Sequence, residues 1–277
     1  MNCKWICLVS LGLLCTGNVQ AVELCGKAAQ GEILRGHTDY FTKVISNGKT
    51  HRVSPYGEFI LAFGRDDAEN QEIVIKGENG KSVKFNLKLA KTAWDVQNLK
   101  GVPQRKVTPS KADEAAILDE RRKIGDALAK DMEKSYWKHG FIQPVEGRIS
   151  GHFGGQRIMN GKKMNPHAGM DIAAPEGTEV RAAGDAVVTL NADDLFYSGN
   201  VIVLDHGYGL HTIYAHLSEM SVKVGQKVKK GDIIGKVGKT GRVTGPHLHW
   251  GASLKGIKFN PMSLLSLTNN NEFCFIL

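Results

Sequence analysis

The chain has 277 residues with 42% hydrophobic content, which is enough for one or two domains with a buried core. Its formal net charge is +8, but the lysines and arginines are spread along the chain and no nucleic-acid-binding motif is present, so we expect no nucleic-acid partner. The 32 glycines favour strands joined by tight turns.

Residues 1–21 have the pattern of a secretory signal peptide. Lys4 supplies a positive start, residues 6–14 form a short apolar run, and residues 19–21 (Val-Gln-Ala) form a small-residue cleavage site. The apolar run is too short to span a bilayer as a helix, and no later stretch is long and apolar enough to do so. We therefore expect an exported protein that begins near Val22, resides in the periplasm or is secreted, and has no transmembrane segment.

Removal of the signal would leave two of the five cysteines in the chain. Cys25 and Cys274 remain, one near each end. In an exported protein such a pair predicts a disulfide, and two unpaired thiols in mobile tails are the alternative.

Residues 22–106 are predicted to form a small β-rich domain. Short apolar or alternating runs are separated by Asn-Gly turns at residues 47–48 and 79–80, which is the pattern of β-hairpins. The region contains no sequence cluster of metal ligands or nucleophiles, so its sequence indicates no function by itself.

A helical linker is predicted over residues 107–140. Ser110 is placed to cap a helix that runs to about Trp137, with acidic residues in its first turn. Apolar side chains at helical spacing define one face of this helix: Ile117, Ile124, Leu128, Met132 and Tyr136. We expect a structural or spacer role for it.

From residue 141 the composition changes to glycine and strand-forming residues. A compact antiparallel β domain is predicted over residues 141–266, because glycine turns separate five short apolar runs. These runs are residues 180–183, 186–190, 201–204, 210–216 and 232–237. Residues 267–277 form a tail that ends in an apolar run.

This region also contains five candidate metal ligands: His167, Asp171, His216, His247 and His249. The last two lie two residues apart in an extended run, so they point to the same side of a strand. His167 and Asp171 are four apart, with Gly169 between them to relax the backbone. A catalytic zinc ion takes three N or O ligands from the protein and one water. The two side chains left over would move protons or stabilise an oxyanion, and spacing alone leaves the assignment open.

The motifs around these residues resemble those of the lysostaphin/LytM-type zinc endopeptidases. They follow the family's order over about residues 141–265: His167-x-x-x-Asp171, Ala173-Ala174-Pro175-x-Gly177-Thr178, Asp205-His206-Gly207, Tyr214-Ala215-His216-Leu217, Gly235-x-Val237-Gly238-x-Thr240-Gly241 and Thr244-Gly245-Pro246-His247-Leu248-His249. The resemblance implies a mainly β protein, in which an antiparallel LytM-type catalytic domain follows a small β domain and a linking α-helix. One departure is Trp250-Gly251, where many members have an aromatic residue followed by glutamate.

Carried over by position, the resemblance implies that one zinc ion per chain is bound by His167, Asp171 and His249. It makes His216 and His247 the catalytic histidines. The implied activity is hydrolysis of peptide cross-links between the peptide stems of bacterial peptidoglycan. In an exported Gram-negative member the expected bond is D-alanyl–diaminopimelate.

Three further residues are candidates for substrate binding or for a latent state. Arg157 and Asn160 precede the first ligand pair and are placed to shape the groove. Asn160 is a candidate for a position near zinc in a latent state, as the resemblance implies for some proenzymes. Tyr214 either lines the cleft or belongs to the core.

Other functions fit parts of the pattern. A non-catalytic relative that activates cell-wall amidases would lack a zinc ligand, and all three are present here. A biotinyl or lipoyl carrier domain shares the hairpin glycines at 225, 231 and 235 but needs a Met-Lys-Met turn, which is absent. A protein-directed metallopeptidase would use the same site residues. A further hypothesis is that the N-terminal β domain covers the groove and keeps the full chain latent.

Overall fold

The computed structural model describes residues 22–38, 41–77, 80–268 and 273–277, so the predicted signal peptide lies outside the described residues. The described chain is mainly antiparallel β, which confirms the predicted fold class. None of the helices within these residues has the length and hydropathy needed to cross a bilayer.

Two four-stranded sheets make up most of the N-terminal half. The strands of this half are β1 (Glu23–Cys25), β2 (Ile33–His37), β3 (Phe41–Ser46), β4 (Lys49–Arg52), β5 (Glu58–Ala62), β6 (Asn70–Gly77), β7 (Ser82–Lys88) and β8 (Val96–Leu99). One sheet has the order β4-β3-β6-β7, and in the other β1-β2-β5 are neighbours. Asn47 and Gly48 form the predicted turn between β3 and β4, both with positive φ (52° and 67°).

The C-terminal residues complete the sheet that contains β1, β2 and β5. The last strand of the chain, Cys274–Ile276, pairs antiparallel with β1, and Cys274 lies directly opposite Cys25. The two sulfurs are bonded at 2.06 Å. Residues predicted as a tail therefore form an edge strand, and Leu277 N–H donates a hydrogen bond to Val22 O at 2.9 Å.

Replacing Cys25 and Cys274 together with serine should lower the free energy of unfolding by about 2–5 kcal/mol, because the bond restricts the unfolded chain over a long loop. The two cysteines are separated by 249 residues in the sequence. Guanidinium denaturation of the wild type and the double variant, both without reductant, measures the difference. Equal midpoints and slopes would contradict this expectation and show that the noncovalent pairing of the first and last strands gives the same stability without the disulfide.

The connecting segment contains less helix than predicted. α1 (Gln104–Val107) is a single turn, a 3-10 turn spans Lys111–Asp113, and α2 covers Glu114–Leu128. The start agrees with the prediction, because the Asp113 carboxylate accepts hydrogen bonds from the Ser110 backbone N–H (2.9 Å) and hydroxyl (2.8 Å).

The predicted continuation of this helix to Trp137 is wrong. Beyond Leu128 the backbone bonds to the sheet that follows instead of to itself. Met132 O accepts a hydrogen bond from Tyr208 N–H at 2.9 Å, and Tyr136 N–H donates to His206 O at 2.8 Å. These tertiary hydrogen bonds outweigh the local helical propensity of residues 129–136, as tertiary contacts commonly do.

A ten-stranded sheet dominates the C-terminal half. The strands of this half are β9 (Arg148–Gly151), β10 (Gln156–Met159), β11 (Lys162–Lys163), β12 (Gly169–Ala173), β13 (Glu179–Arg181), β14 (Ala186–Leu195), β15 (Gly199–Asp205), β16 (Leu210–Met220), β17 (Lys227–Val228), β18 (Ile233–Val237), β19 (Leu248–Leu254), β20 (Ile257–Phe259) and β21 (Cys274–Ile276), the edge strand already described. The large sheet has the order β17-β14-β15-β16-β19-β12-β9, with β13, β18 and β20 at its side. The five predicted apolar runs all lie in or overlap its strands. Two 3-10 segments, Trp137–His139 and Pro261–Thr268, flank it.

The two halves of the chain share one buried core. Ile33 of β2 and Ile60 and Ala62 of β5 belong to the same cluster as Tyr214 and Trp250 of the large sheet. A small third sheet also crosses between the halves, because β8 pairs in parallel with β10.

The opposite face of the large sheet is covered by α2. There Ile124 packs against Ile213 and Ala215 of β16 and Val201 of β15. Ala215 lies directly opposite His249 in the β16–β19 ladder, so His249 points to this same face. The helix predicted to be a spacer thus lies on the face of the sheet that presents the histidines.

Candidate active site

The three side chains expected to bind zinc meet at one end of the β12–β19 pair. Asp171 lies directly opposite His249 in this ladder, and His167 lies in the loop before β12. Asp171 Oδ1 is 3.0 Å from His167 Nε2 and 2.9 Å from His249 Nδ1, and these two nitrogens are 3.0 Å apart. The triangle is slightly tighter than the edge of about 3.3 Å expected of a tetrahedron with 2.0–2.1 Å zinc bonds.

The hydrogen bonding of this triangle calls for a cation. His167 Nδ1 is 2.9 Å from His152 O, which is an acceptor, so Nδ1 carries the proton and Nε2 carries a lone pair. That lone pair faces the Asp171 carboxylate, and His249 Nδ1 can supply at most one N–H to the two of them. Three potential ligand atoms in near contact, with at most one proton among them, fit a metal ion, and without a cation at least one lone pair would face another acceptor.

One other potential metal-binding group lies within the described ranges. It consists of Glu23, Cys25 and Cys274. Because its two sulfurs are bonded to each other, it cannot act as a thiolate site.

Burial acts on the protonation of the ligand residues. It lowers the pKa of His167 to about 4, although the nearby Asp171 carboxylate works against this shift. Burial alone would raise the pKa of Asp171, but the adjacent imidazoles of His167 and His249 hold it well below its usual range. At neutral pH the site therefore offers a neutral imidazole and an ionised carboxylate, which are the forms that bind metal.

Gly169 contributes to this site because it lacks a side chain, and not because of an unusual backbone conformation. Its φ is not in the left-handed region, which is contrary to the expected relaxation of the backbone. A Cβ at this position would lie 2.5 Å from Trp250 O and 2.8 Å from the His249 ring. The absence of a side chain lets β19 and its histidine approach β12 closely.

The two histidines expected to be catalytic lie beside the triangle. The His216 ring is 4.9 Å from the His247 ring and 5.9 Å from the His249 ring, measured between centroids. His216 Nδ1 is 2.9 Å from Thr240 O, and His247 Nδ1 is 2.9 Å from Gly245 O. Both rings therefore carry the proton on Nδ1 and present an unprotonated Nε2.

A backbone irregularity places His216 on this face. Its neighbour Ala215 faces the site side of the sheet, so a regular strand would turn His216 to the opposite side. His216 instead has φ +66°, in the left-handed region, and the β15–β16 register shifts between Asn200 and Ile202. Its N–H donates to Ser198 O at 2.9 Å, which fixes the distortion.

Arg157 contacts the ligand triangle from behind. Its Nη2 forms an ion pair with Asp171 Oδ2, the oxygen that does not face the two imidazoles, and its Nε is 3.4 Å from Gln97 Oε1 of β8. The side chain orients the carboxylate rather than lining a groove directly.

Asn160 does not approach the triangle. Its amide donates to Val102 O at 2.7 Å and to Gln104 Oε1 at 3.3 Å, and the residue lies in a turn with φ 49°. The expectation that it approaches the metal in a latent state is wrong for this conformation, because its amide is bonded to residues 102–104.

Tyr214 belongs to the core. It is fully buried on the face opposite the histidines, and its hydroxyl accepts a hydrogen bond from Ala183 N–H at 2.9 Å. Burial raises its pKa to about 12. The cleft-lining alternative is therefore wrong.

Glu120 of α2 was missed by sequence reasoning. Its carboxylate is buried and accepts three hydrogen bonds from the β14–β15 turn: Tyr197 N–H (2.7 Å), Ser198 N–H (3.1 Å) and the Ser198 hydroxyl (2.7 Å). Ser198 O in turn accepts from His216 N–H. The only signal in the sequence is an acidic residue three positions from Ile117, on the apolar side of the helix.

Replacing Glu120 with glutamine should reduce kcat by about 10- to 100-fold, because displacement of a positioned group by about 1 Å has effects of this size. The glutamine side chain has one acceptor oxygen instead of two, so it cannot accept all the hydrogen bonds from the β14–β15 turn, which holds His216 through Ser198 O. The zinc content should not change. Single-turnover rates and metal content measure the two effects. Glu114→Gln, an exposed acidic position on the same helix, is the control. An unchanged rate would show that the turn is held without Glu120.

Comparison with known proteins is consistent with this geometry. The chain is 41% identical over 143 residues to the peptidoglycan DD-endopeptidase ShyA of Vibrio cholerae, covering 50% of this chain and 31% of ShyA. It is 45% identical over 129 residues to the DD-carboxypeptidase/endopeptidase Mpg of Neisseria meningitidis, covering 46% of this chain and 30% of Mpg. The chain thus matches about a third of the length of these curated relatives.

The overall fold is also found in a solved structure. A crystal structure from Pseudomonas aeruginosa assigned to peptidase M23 superposes with a TM-score of 0.70 at 24% identity, covering 88% of this chain and 97% of that one. At this level of identity the likeness concerns the fold. The profile of Peptidase family M23 matches residues 165–261, which include all five candidate site residues. This confirms the family resemblance of the motifs: the chain contains a peptidase M23 domain.

Proposed function

We propose that the protein is a zinc-dependent endopeptidase that hydrolyses peptide cross-links in bacterial peptidoglycan. The observation that carries the proposal is the triangle of His167, Asp171 and His249 beside two imidazoles with unprotonated Nε2 atoms. Three N or O ligands leave the fourth tetrahedral position of one zinc ion for water, which is typical of catalytic rather than structural zinc sites.

When bound, zinc would polarise the scissile carbonyl and make a water molecule nucleophilic at neutral pH. The remaining chemistry falls to His216 and His247. An unprotonated Nε2 can take a proton from the attacking water, and the resulting imidazolium can donate to the oxyanion or protonate the leaving amine. Thr240 O and Gly245 O hold the two rings in this tautomer.

The names of the two relatives support a cell-wall substrate with a D,D bond. We place the cut between D-alanine and diaminopimelate in a cross-link. The net charge of +8 favours association with anionic wall polymers. Export by the signal predicted in residues 1–21 would bring the protein to this substrate in the periplasm.

The test is zinc content together with digestion of purified cross-linked peptidoglycan by residues 22–277, with the products identified by mass. About one zinc per chain and loss of dimeric muropeptides support the proposal. Zinc without cleavage would direct attention to latency or to a protein substrate. Absence of both zinc and cleavage would favour an amidase activator.

The pH profile should show an acid limb of kcat/KM below pH 6.5, which is about the ordinary pKa of histidine. Burial lowers the pKa of both His216 and His247, and the neighbouring imidazoles lower that of His216 further. A lowered pKa means that the neutral, proton-accepting form persists to more acidic pH. Initial rates at low substrate concentration between pH 4.5 and 8.5 measure the limb. A midpoint above 6.5 would contradict the assignment.

A further inference from the structure

The loop between β18 and β19 holds both Arg242 and Thr240, the residue whose carbonyl oxygen contacts the His216 ring. The backbone N–H of Arg242 donates a hydrogen bond to Tyr197 O at 2.8 Å, and the guanidinium carbon of Arg242 lies 4.4 Å from the centroid of the Tyr197 ring. The loop and the β14–β15 turn touch at Gly241 (φ 76°), where a Cβ would lie 2.4 Å from Tyr197 O. This contact fixes the backbone of Arg242 against the β14–β15 turn, whose Ser198 O accepts a hydrogen bond from His216 N–H.

Arg242 has no direct ion-pair partner within the described part of the chain, and its side chain is half-buried. Burial lowers its pKa and the charge of Arg157 acts in the same direction, whereas the charge of Glu120 acts in the opposite direction. Neither nearby carboxylate contacts the guanidinium directly: Asp171 pairs with Arg157, and Glu120 accepts three hydrogen bonds from the β14–β15 turn.

A guanidinium stays protonated when partly buried and offers a planar fork of donors that matches a carboxylate. A half-buried, stacked guanidinium without a direct ion pair is therefore suited to an anionic ligand, because the ligand would supply the charge-assisted hydrogen bonds that no carboxylate of the described chain makes to it. The ring of Tyr197 limits the rotation of the fork, so less conformational entropy is lost when it binds.

We propose that Arg242 binds a free carboxylate on the amino acid whose nitrogen belongs to the scissile bond. This inference rests on the proposed function and narrows its substrate class. In a D-alanyl–diaminopimelate cross-link the scissile nitrogen is bonded to a carbon that bears a free carboxylate. A terminal D-alanyl–D-alanine bond has the same feature. Peptides with an amidated or absent carboxylate at this position would be poor substrates.

The experiment compares two synthetic muropeptide dimers that differ at one group. One carries the free carboxylate next to the scissile nitrogen, and in the other this group is a carboxamide. Affinity is measured by calorimetry on zinc-loaded residues 22–277 in a His247→Ala background, so that binding is read without turnover. The ratio of the two dissociation constants is determined with arginine, lysine and glutamine at position 242. The same ratio of kcat/KM is measured with His247 intact.

With Arg242 present, amidation should weaken binding about tenfold, as expected of a partly buried, charge-assisted pair. Arg242→Gln should bring the ratio close to one, and Arg242→Lys should give an intermediate ratio because the charge remains and the fork is lost. Lys239→Gln is the matched control: this exposed lysine of the same loop pairs with Glu176 at 3.1 Å, so its removal should leave the ratio unchanged.

The outcomes separate the two proposals. In one outcome, the His247→Ala protein with Arg242 present distinguishes the dimers in binding, but the wild type cleaves neither. The carboxylate site then stands and the hydrolytic function fails. If the wild type cleaves both dimers equally, the function stands and the role of Arg242 is wrong. A purely structural role of Arg242 would reduce binding of both dimers together and leave their ratio unchanged, which would also overturn the inference. Failure to bind either dimer would overturn it as well.

Discussion

Replacing His249 with alanine should abolish zinc binding and reduce cleavage of cross-linked muropeptides by roughly a thousandfold or more, because two ligands cannot hold a catalytic zinc ion in place. His249 supplies one corner of the triangle, with Nδ1 at 2.9 Å from Asp171 Oδ1 and 3.0 Å from His167 Nε2. Its removal leaves a neutral imidazole and one carboxylate oxygen. That oxygen's neighbour is already paired with Arg157.

Metal analysis after dialysis and a muropeptide digest measure both effects. A thermal scan with and without chelator adds a readout that does not depend on activity. Metal that binds only the native state raises its stability, so the chelator should lower the Tm of the wild type and leave that of His249→Ala unchanged. His139→Ala, an exposed histidine paired with Asp185 at 2.9 Å, is the control. Retention of one zinc per chain by His249→Ala would show that the metal lies elsewhere.

The sequence was sufficient to predict which residues form the candidate site, because most of them are related by short spacings within strands. His247 and His249 are two apart where β19 begins, and Asp171 lies in the middle of the neighbouring β12, so strand geometry and motif order bring these residues together. The apolar runs likewise predicted the strands of the large sheet. Register between distant strands, such as Asp171 opposite His249, required the structure.

Noncovalent contacts between residues far apart in the sequence could not be predicted. Glu120 reaches Ser198 over 78 positions, and nothing near either residue indicates the contact. The end of α2 depends on backbone hydrogen bonds to residues 206 and 208, which outweigh an apolar pattern that continues to Tyr136. The choice between cleft and core for Tyr214, and the position of Asn160, could not be decided from the sequence for the same reason, because the packing partners of these residues are remote in the chain.

His216 shows where local reasoning fails even within a strand. Alternation along β16 would put its side chain in the core beside Tyr214, but a left-handed residue at φ +66° turns it to the site. The sequence around His216 contains no glycine or turn motif that would predict the distortion. The apolar run predicted a strand and the motif suggested a role, and only the irregular backbone makes the two compatible.

Replacing His216 with alanine should leave zinc content unchanged and reduce turnover by about a hundredfold or more, in the range of lost general acid–base catalysis. His216 lies outside the ligand triangle, and its Nδ1 is held by Thr240 O so that Nε2 can move a proton. Alanine strains the backbone at φ +66°, whereas asparagine tolerates it, so His216→Asn separates the loss of the imidazole from the strain.

Both His216 variants should bind about one zinc ion, and both should be nearly inactive at saturating substrate. A lower Tm is expected of His216→Ala than of His216→Asn, because only alanine pays the steric cost of the left-handed conformation. Zinc analysis, melting curves and single-turnover rates on one dimeric muropeptide distinguish these effects. Hydrolysis by His216→Asn at the wild-type rate would refute the catalytic role of this imidazole and leave His247 as the remaining candidate for proton transfer.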